Sequence, residues 1–260
     1  MNVRPVTAIR AARNDNLDMP RYDRINGTST PVASGTALLE DSLRMRFRNR
    51  FDGGQALAKK LAHSAGRGDV VILALPRGGV PVGAEVAVAL NAPLDVFVVR
   101  KLGLPGQEEL AMGAIASGGT RVLNYHVVQN FDIPADVIDA VTLTEQKELR
   151  RREEAYRGNR PPVDIRDKVA ILVDDGLATG ATMRAAASAI RDHGPRHVVI
   201  AVPVGASSSC HDIRGEVDEV VCVHEPEDFG AVGAWYDDFA QTTDEEVRLI
   251  LDRVAEARER

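Results

Sequence analysis

With 260 residues, 44% of them apolar and 27% charged, the chain has enough apolar material for one domain of ordinary to large size, and its charge is that of a soluble protein. A net charge of −6 weighs against indiscriminate nucleic-acid binding, which wants a basic surface. No apolar run reaches membrane-spanning length, no apolar signal-peptide centre lies between Met1 and Pro20, and neither Cys210 nor Cys222 lies in a CxxC pattern, so the expectation is a cytoplasmic protein with two reduced thiols, a disulfide between them being left open.

Residues 1–43 show no sustained period and abound in Pro, Asn, Gly, Ser and Thr, as in NGTSTPVASGT over Asn26 to Thr36. That composition predicts a mostly disordered extension before a folded domain over residues 44–260. Asp15, Asp18 and Asp23 count against an acid-poor transit peptide. Between Arg44 and Gly66, the spacing of Leu57, Leu61 and Ala65 predicts a helix with Gly66 as its stop. The basic run RMRFRNR at its start reads as a solvated face, with a phosphate or partner contact as the sharper alternative.

Asp69 to Leu75 (DVVILAL) is a short continuous apolar run, the pattern of a buried parallel strand. It ends in Pro76-Arg77-Gly78-Gly79, and Val80 to Leu90 then reads as a helix with Val82, Val86 and Leu90 inward. The PRGG turn sets one cation and a flexible, amide-rich backbone at a strand's carboxyl end; a plain tight turn is the alternative. Leu94 to Val99 predicts a second strand, ending in Arg100-Lys101. Leu102 to Glu109, punctuated by Gly103, Pro105 and Gly106, reads as a hinged loop that could close over a site. Within it, Glu108 and Glu109 are read as solvated rather than as ligands. Ala111 to Ala116 predicts a third strand, with Val122 and Leu123 in a short partner. Pro134 to Arg157 predicts one charged helix with a sparse stripe of Val137, Val141 and Leu149 and an i,i+4 pair of Glu148 with Arg152.

The densest signal is VAILVDDGLATGATM, Val169 to Met183. A buried strand, Val169 to Val173, delivers Asp174 and Asp175 to its carboxyl end, where ligands gather in open α/β sheets. Gly176 and the hydroxyl-bearing turn Thr179-Gly180-Ala181-Thr182 follow, and a helix with Met183, Ala186, Ala187 and Ile190 on one face starts at once. A helix N-terminus suits a phosphate. Carboxylates repel a phosphate, so Asp174 and Asp175 should face hydroxyl donors such as those of a sugar. No Lys follows Gly180, which excludes the nucleotide P-loop, and no GxGxxG follows a strand. An ordinary capped strand-turn-helix is the bland alternative; the double Asp together with TGAT weighs against it.

Further on, His197 to Val204 predicts a strand, Gly205 to Cys210 a small polar turn opening a short helix, and Glu219 to Val223 the last strand. Pro226 to Phe239 holds Phe229, Trp235, Tyr236 and Phe239, read mainly as core packing and alternatively as a stacking surface for a flat acceptor. Thr243 with Glu246 forms a capping box, and Val247, Ile250, Leu251 and Val254 make the closing helix amphipathic. Strands alternating with helices predict an α/β fold with a mostly parallel, Rossmann-like sheet flanked by helices.

The Val169–Met183 stretch resembles the PRPP-binding motif of type I phosphoribosyltransferases, a hydrophobic strand, two acids and a TGxT loop, matched here at every position. The resemblance implies that family's five-stranded parallel core with a small variable hood. It implies that Asp174 and Asp175 hold the ribose hydroxyls of PRPP and that Ala178, Thr179, Gly180, Ala181 and Thr182 cradle its 5′-phosphate. PRGG resembles the family's pyrophosphate loop, which gives Arg77, Gly78 and Gly79 to the diphosphate; Arg100 and Lys101 with LGLPG resemble the strand end and mobile loop of adenine-type members. Asp174, Asp175 and Lys101 are the catalytic candidates, with Mg²⁺ as the implied cofactor, a nitrogenous acceptor, taken to be a nucleobase, as co-substrate, no membrane partner and a homodimer as the usual assembly. Two other classes stay open: a PRPP- or nucleotide-sensing regulator that keeps the site without turnover, and a hydrolase of phosphoribosyl compounds. Ser207, Ser208 and Ser209 lie in no GxSxG elbow, which speaks against the latter.

Overall fold

The computed structural model describes residues 46–258, so the extension expected over residues 1–43 lies outside the described residues. In chain order, α1 (Arg50–Lys60) leads to β1 (Val70–Ala74), and α2 (Gly79–Leu90) returns to β2 (Leu94–Val96). The chain then leaves for β3 (Val99–Leu104), β4 (Gln107–Ala116), β5 (Arg121–Leu123), a short α3 (Tyr125–Asn130) and the long α4 (Ala135–Arg157). It comes back as β6 (Val169–Val173), α5 (Ala181–Ile190), β7 (His197–Val204), α6 (Ser207–Ile213), β8 (Glu219–His224) and α7 (Asp244–Arg258).

Five strands pair in parallel in the order β2-β1-β6-β7-β8, and β3-β4-β5 form a separate antiparallel sheet. The apolar runs are continuous because both faces of the main sheet are covered. Val71, Leu73, Ala170 and Leu172 face one layer with Met183, Ile190 and Ile213. Val70, Ile72, Val169 and Ile171 face the other with Leu57, Val86 and Leu90. A third cluster joins the antiparallel sheet to α4 and α7 through Leu102, Met112, Ile115, Leu149, Tyr156 and Leu251. Asp95, on β2, accepts from Arg157 Nε at 2.7 Å and from the Val163 amide at 3.0 Å, tying α4 and the return to β6 against the sheet edge. The capping box is present at the start of α7, where Thr243 N–H donates to Glu246 at 2.7 Å and Glu246 N–H to Thr243 Oγ1 at 3.1 Å.

Besides adding the short helix Tyr125–Asn130, the structure departs from the sequence reading in three places. The run Leu94 to Val99 does not make one strand: the Phe97 amide gives the last bond to β1, at Ala74, and the Val98 amide is captured by Ser117 Oγ, so the chain turns into the second sheet. The segment expected as a loop, Leu102 to Glu109, is a β-hairpin whose turn is Pro105-Gly106. The first helix ends at Lys60, and Ala65, expected on its buried face, is exposed.

Candidate active site

β1 and β6 are neighbours, yet α2 carries the chain from β1 to β2 on one side and α5 carries it from β6 to β7 on the other. Such a switch point opens a crevice at the carboxyl ends of the strands. Both candidate motifs meet there. The Leu75 amide donates to Val173 O at 2.8 Å, and the PRGG turn, whose Pro76–Arg77 peptide is cis, runs along the acidic pair. A Cβ on Gly78 would collide with Asp175 Oδ2, and one on Gly79 would stand 2.5 Å from Val173 O and 3.0 Å from Asp174 Cα. Only glycine lets the two loops touch.

Asp174 and Asp175 are half-buried. Burial, and then the charge of Asp175, raises the Asp174 carboxyl well above the usual range. Burial also raises Asp175, against the pull of Arg50, whose Nε donates to Asp175 Oδ2 at 2.8 Å. Arg50 is a residue that the sequence reading left within a solvated basic run. Its guanidinium also donates to Ala240 O at 2.7 Å and lies 3.9 Å from the centroid of the Phe239 ring. Tyr236 OH donates to Asp175 O at 2.6 Å. Two adjacent half-buried carboxylates are a hard, oxygen-only donor set that suits Mg²⁺, and a cation beside them would offset the charge that burial makes costly.

The turn after the acids is braced from β7 and α6. The Leu177 amide donates to Val204 O at 2.9 Å, Ala206 N–H to Leu177 O at 2.8 Å, and Ser209 Oγ to Ala178 O at 2.5 Å. Gly180, at φ +74°, caps α5. The amides of Ala178, Thr179, Gly180, Ala181 and Thr182 meet no protein acceptor among the described residues, so they are free for an anion.

The remaining predicted residues are less tightly gathered. Arg77 is half-buried, 3.7 Å from Asp244. Strand alternation sends Arg100 and Lys101 to opposite faces. Arg100 is held by Glu145 of α4 at 2.6 Å. Lys101 reaches Glu109 at 3.2 Å and lines, with Gly113, Asn124, Thr182 and Arg184, a cavity of about 630 Å³ between the antiparallel sheet and α5. Another cavity, about 640 Å³ between Phe97, Arg157 and His193, contains none of the motif residues. Over the acids, Arg50 pairs with Asp175 at 2.8 Å.

The aromatic segment forms the cover. Phe47 pairs its backbone with Trp235 and Asp237, and Phe47, Phe229 and Tyr236 are buried together against Val204. Tyr236 stacks on Phe239 with centroids 5.2 Å apart, and Arg50 lies against that same Phe239 ring. The aromatic residues are thus packed mainly on one another, as the core reading expects.

Known proteins resemble this chain in sequence and in fold. The family model described as "Phosphoribosyl transferase domain" matches residues 46–238. A Mycobacterium tuberculosis protein, Rv0571c, whose given name assigns it provisionally to the phosphoribosyl transferases, is 50% identical over 207 residues, 80% of this chain and 46% of its own length. The chain thus spans about half the length of the curated relatives that it matches first. A "Bifunctional protein PyrR" from Listeria welshimeri is 35% identical over 109 residues, 37% of this chain and 58% of its own. The crystal structure of TT1426 from Thermus thermophilus superposes with a TM-score of 0.71 at 43% identity, covering 80% of this chain and 98% of that one. No described helix is long and apolar enough to cross a membrane. With its parallel five-stranded sheet and its acidic and glycine turns facing one another, the chain belongs to the phosphoribosyl transferase family.

Proposed function

We propose that this chain transfers phosphoribose from PRPP to a nitrogenous acceptor, a nucleobase, and releases pyrophosphate. What supports the reading is the close contact of Gly78 and Gly79 with Asp174 and Asp175, beside a turn whose amides meet no protein acceptor among the described residues. Asp174 and Asp175 accept from the ribose hydroxyls. The amides of residues 178–182 and the hydroxyls of Thr179 and Thr182 take the 5′-phosphate. Arg77, with the Gly78 and Gly79 amides, takes the diphosphate, and Lys101 approaches from β3; Arg100 joins only by leaving Glu145.

Breaking the anomeric C–O bond gives the ribose oxocarbenium character and the diphosphate an extra charge. The chain's part is positional and electrostatic: it holds the ring at both ends, places cations at the departing oxygens and excludes water. Mg²⁺, facing Asp174 and Asp175, would supply charge neutralisation on the diphosphate.

Calorimetric titration of PRPP, with and without Mg²⁺, followed by a nucleobase screen for pyrophosphate release, tests this. Magnesium-dependent binding with turnover is expected; absence of PRPP binding would overturn it. A second reading, a PRPP- or nucleotide-sensing regulator without turnover, is favoured by Arg50, which already pairs with Asp175 and lies on the Phe239 ring. PRPP binding with no pyrophosphate release from any base would select it.

A further inference from the structure

We propose that Cys210, Cys222 and Glu225 form a site for a thiophilic divalent cation of the zinc class, placed directly behind the turn assigned to phosphate. Both cysteines are free thiols, and their sulfurs and a Glu225 carboxylate oxygen all lie within 4.8 Å of one another. Zinc sits about 2.3 Å from thiolate sulfur and about 2.0–2.2 Å from carboxylate oxygen, so tetrahedral coordination needs ligand atoms roughly 3.5–3.8 Å apart. The three atoms come from different elements, α6, β8 and the residue following β8, and they converge without any CxxC spacing.

The surroundings are shaped for the convergence. A Cβ on Gly205 would stand 2.5 Å from Cys210 Sγ and 3.4 Å from Cys222 Sγ, so the missing side chain at Gly205 leaves the space in which the sulfurs meet. Cys210 is buried, Cys222 half-buried and Glu225 exposed, which gives an ion an entry path and leaves one coordination position for water. Arg214 Nη2 donates to both Glu225 carboxylate oxygens, at 2.6 and 2.7 Å. Two thiolates, one carboxylate and a dication sum to one negative charge, which Arg214 is placed to offset. Loading replaces two S–H bonds by two metal–sulfur bonds and sends two protons to solvent, one of them the Cys222 proton now directed at His224 O at 2.9 Å. No oxidant or reductant takes part.

The site is wired to the phosphate turn. Gly205 bridges Leu177, Ala206 N–H holds Leu177 O, and Ser209, the neighbour of Cys210, holds Ala178 O. An ion that pins α6 to β8 therefore also fixes the carbonyls on which residues 177–178 hang. This bracing role rests on the reading of that turn as a phosphate site; the metal site itself does not.

The test is a cobalt(II) titration of the full, reduced chain, with the thiols counted by a thiol reagent beforehand. One cobalt per chain is expected, with a sulfur-to-metal charge-transfer band in the near ultraviolet and the intense visible bands of four-coordination. Cys222→Ser and Cys210→Ser should each lose most of the charge-transfer intensity. Glu225→Gln should keep it while weakening affinity at least about tenfold. Two titratable thiols without a charge-transfer band, or a band unchanged in Cys222→Ser, would each overturn the site. Zinc loading should tighten ribose 5-phosphate binding severalfold; cobalt binding with ribose 5-phosphate affinity unmoved would remove the bracing role, and absence of ribose 5-phosphate binding with and without zinc would point to failure of the phosphate reading instead.

Discussion

Replacing Arg50 by Met strands the Asp175 carboxylate. The ion pair is short, 2.8 Å, and its side chains are only 11% and 15% exposed. Removing one partner of a fully buried pair costs about 3–5 kcal/mol, and the residual exposure lowers this to about 2–4 kcal/mol. For a domain of this size that is a fall in Tm of about 5–15 °C. The pH dependence has a definite sign. Burial already raises the Asp175 carboxyl above its ordinary 3.8, while Arg50 works against that rise. Without Arg50 the folded state holds this proton more tightly still. A carboxyl raised on folding costs stability as pH climbs from the unfolded toward the folded pKa, and the variant's is raised further than the wild type's, so the deficit of Arg50→Met should be larger at neutral pH than in mild acid. Thermal or urea unfolding at the two pH values measures it, and adding Asp175→Asn to the variant should recover about 1 kcal/mol or more at the higher pH. A deficit below about 0.5 kcal/mol, or one that neither depends on pH nor responds to Asp175→Asn, would refute the assignment of Arg50 as the partner that holds this acid ionised.

The double variant Asp174→Asn with Asp175→Asn should abolish PRPP binding with the fold retained; calorimetry showing unchanged affinity would dismiss the ribose role. Arg77→Ala should weaken pyrophosphate more than ribose 5-phosphate, and equal losses in the two titrations would remove Arg77 from the diphosphate loop. Gly79→Ala drives a Cβ against the Val173 carbonyl and the Asp174 backbone, neither of which can swing aside, and should cost about 2–3 kcal/mol in urea unfolding; a wild-type midpoint would mean that the two loops have room to part.

The parts of this chain that speak through composition and period were legible. Val70–Ala74, Val169–Val173 and His197–Val204 are continuous apolar runs because both sheet faces are covered, and VDDGLATGAT announces its turn by residue type alone. The hairpin was not legible: Gly103, Pro105 and Gly106 carry loop chemistry, and the strand identity of Gln107 to Leu110 comes from pairing rather than from apolar alternation. Tyr125–Asn130 buries no residue, so it offers no stripe to read. Arg50 was invisible for a different reason, since its partner lies 125 residues away and nothing local separates it from its basic neighbours. The adjacent pair Arg100-Lys101 looked like one cationic patch until the strand turned the two side chains apart.

That hairpin is a plank with a fixed foot. Leu102 and Met112 are wholly buried at its base, and its register slips on both sides of Gly103. Beyond Gly103, Pro105 through Glu109 are exposed. Any swing therefore pivots at Gly103 and moves an arm of about three residues, roughly 10 Å long at about 3.3 Å per residue. Lys101 lies below the pivot and stays with the foot, whereas Glu108 and Glu109 ride on the arm. Such a swing would carry acids over a stationary cation, and because the arm is already held by strand pairing it would give up far less chain entropy than the collapse of a slack loop of the same length.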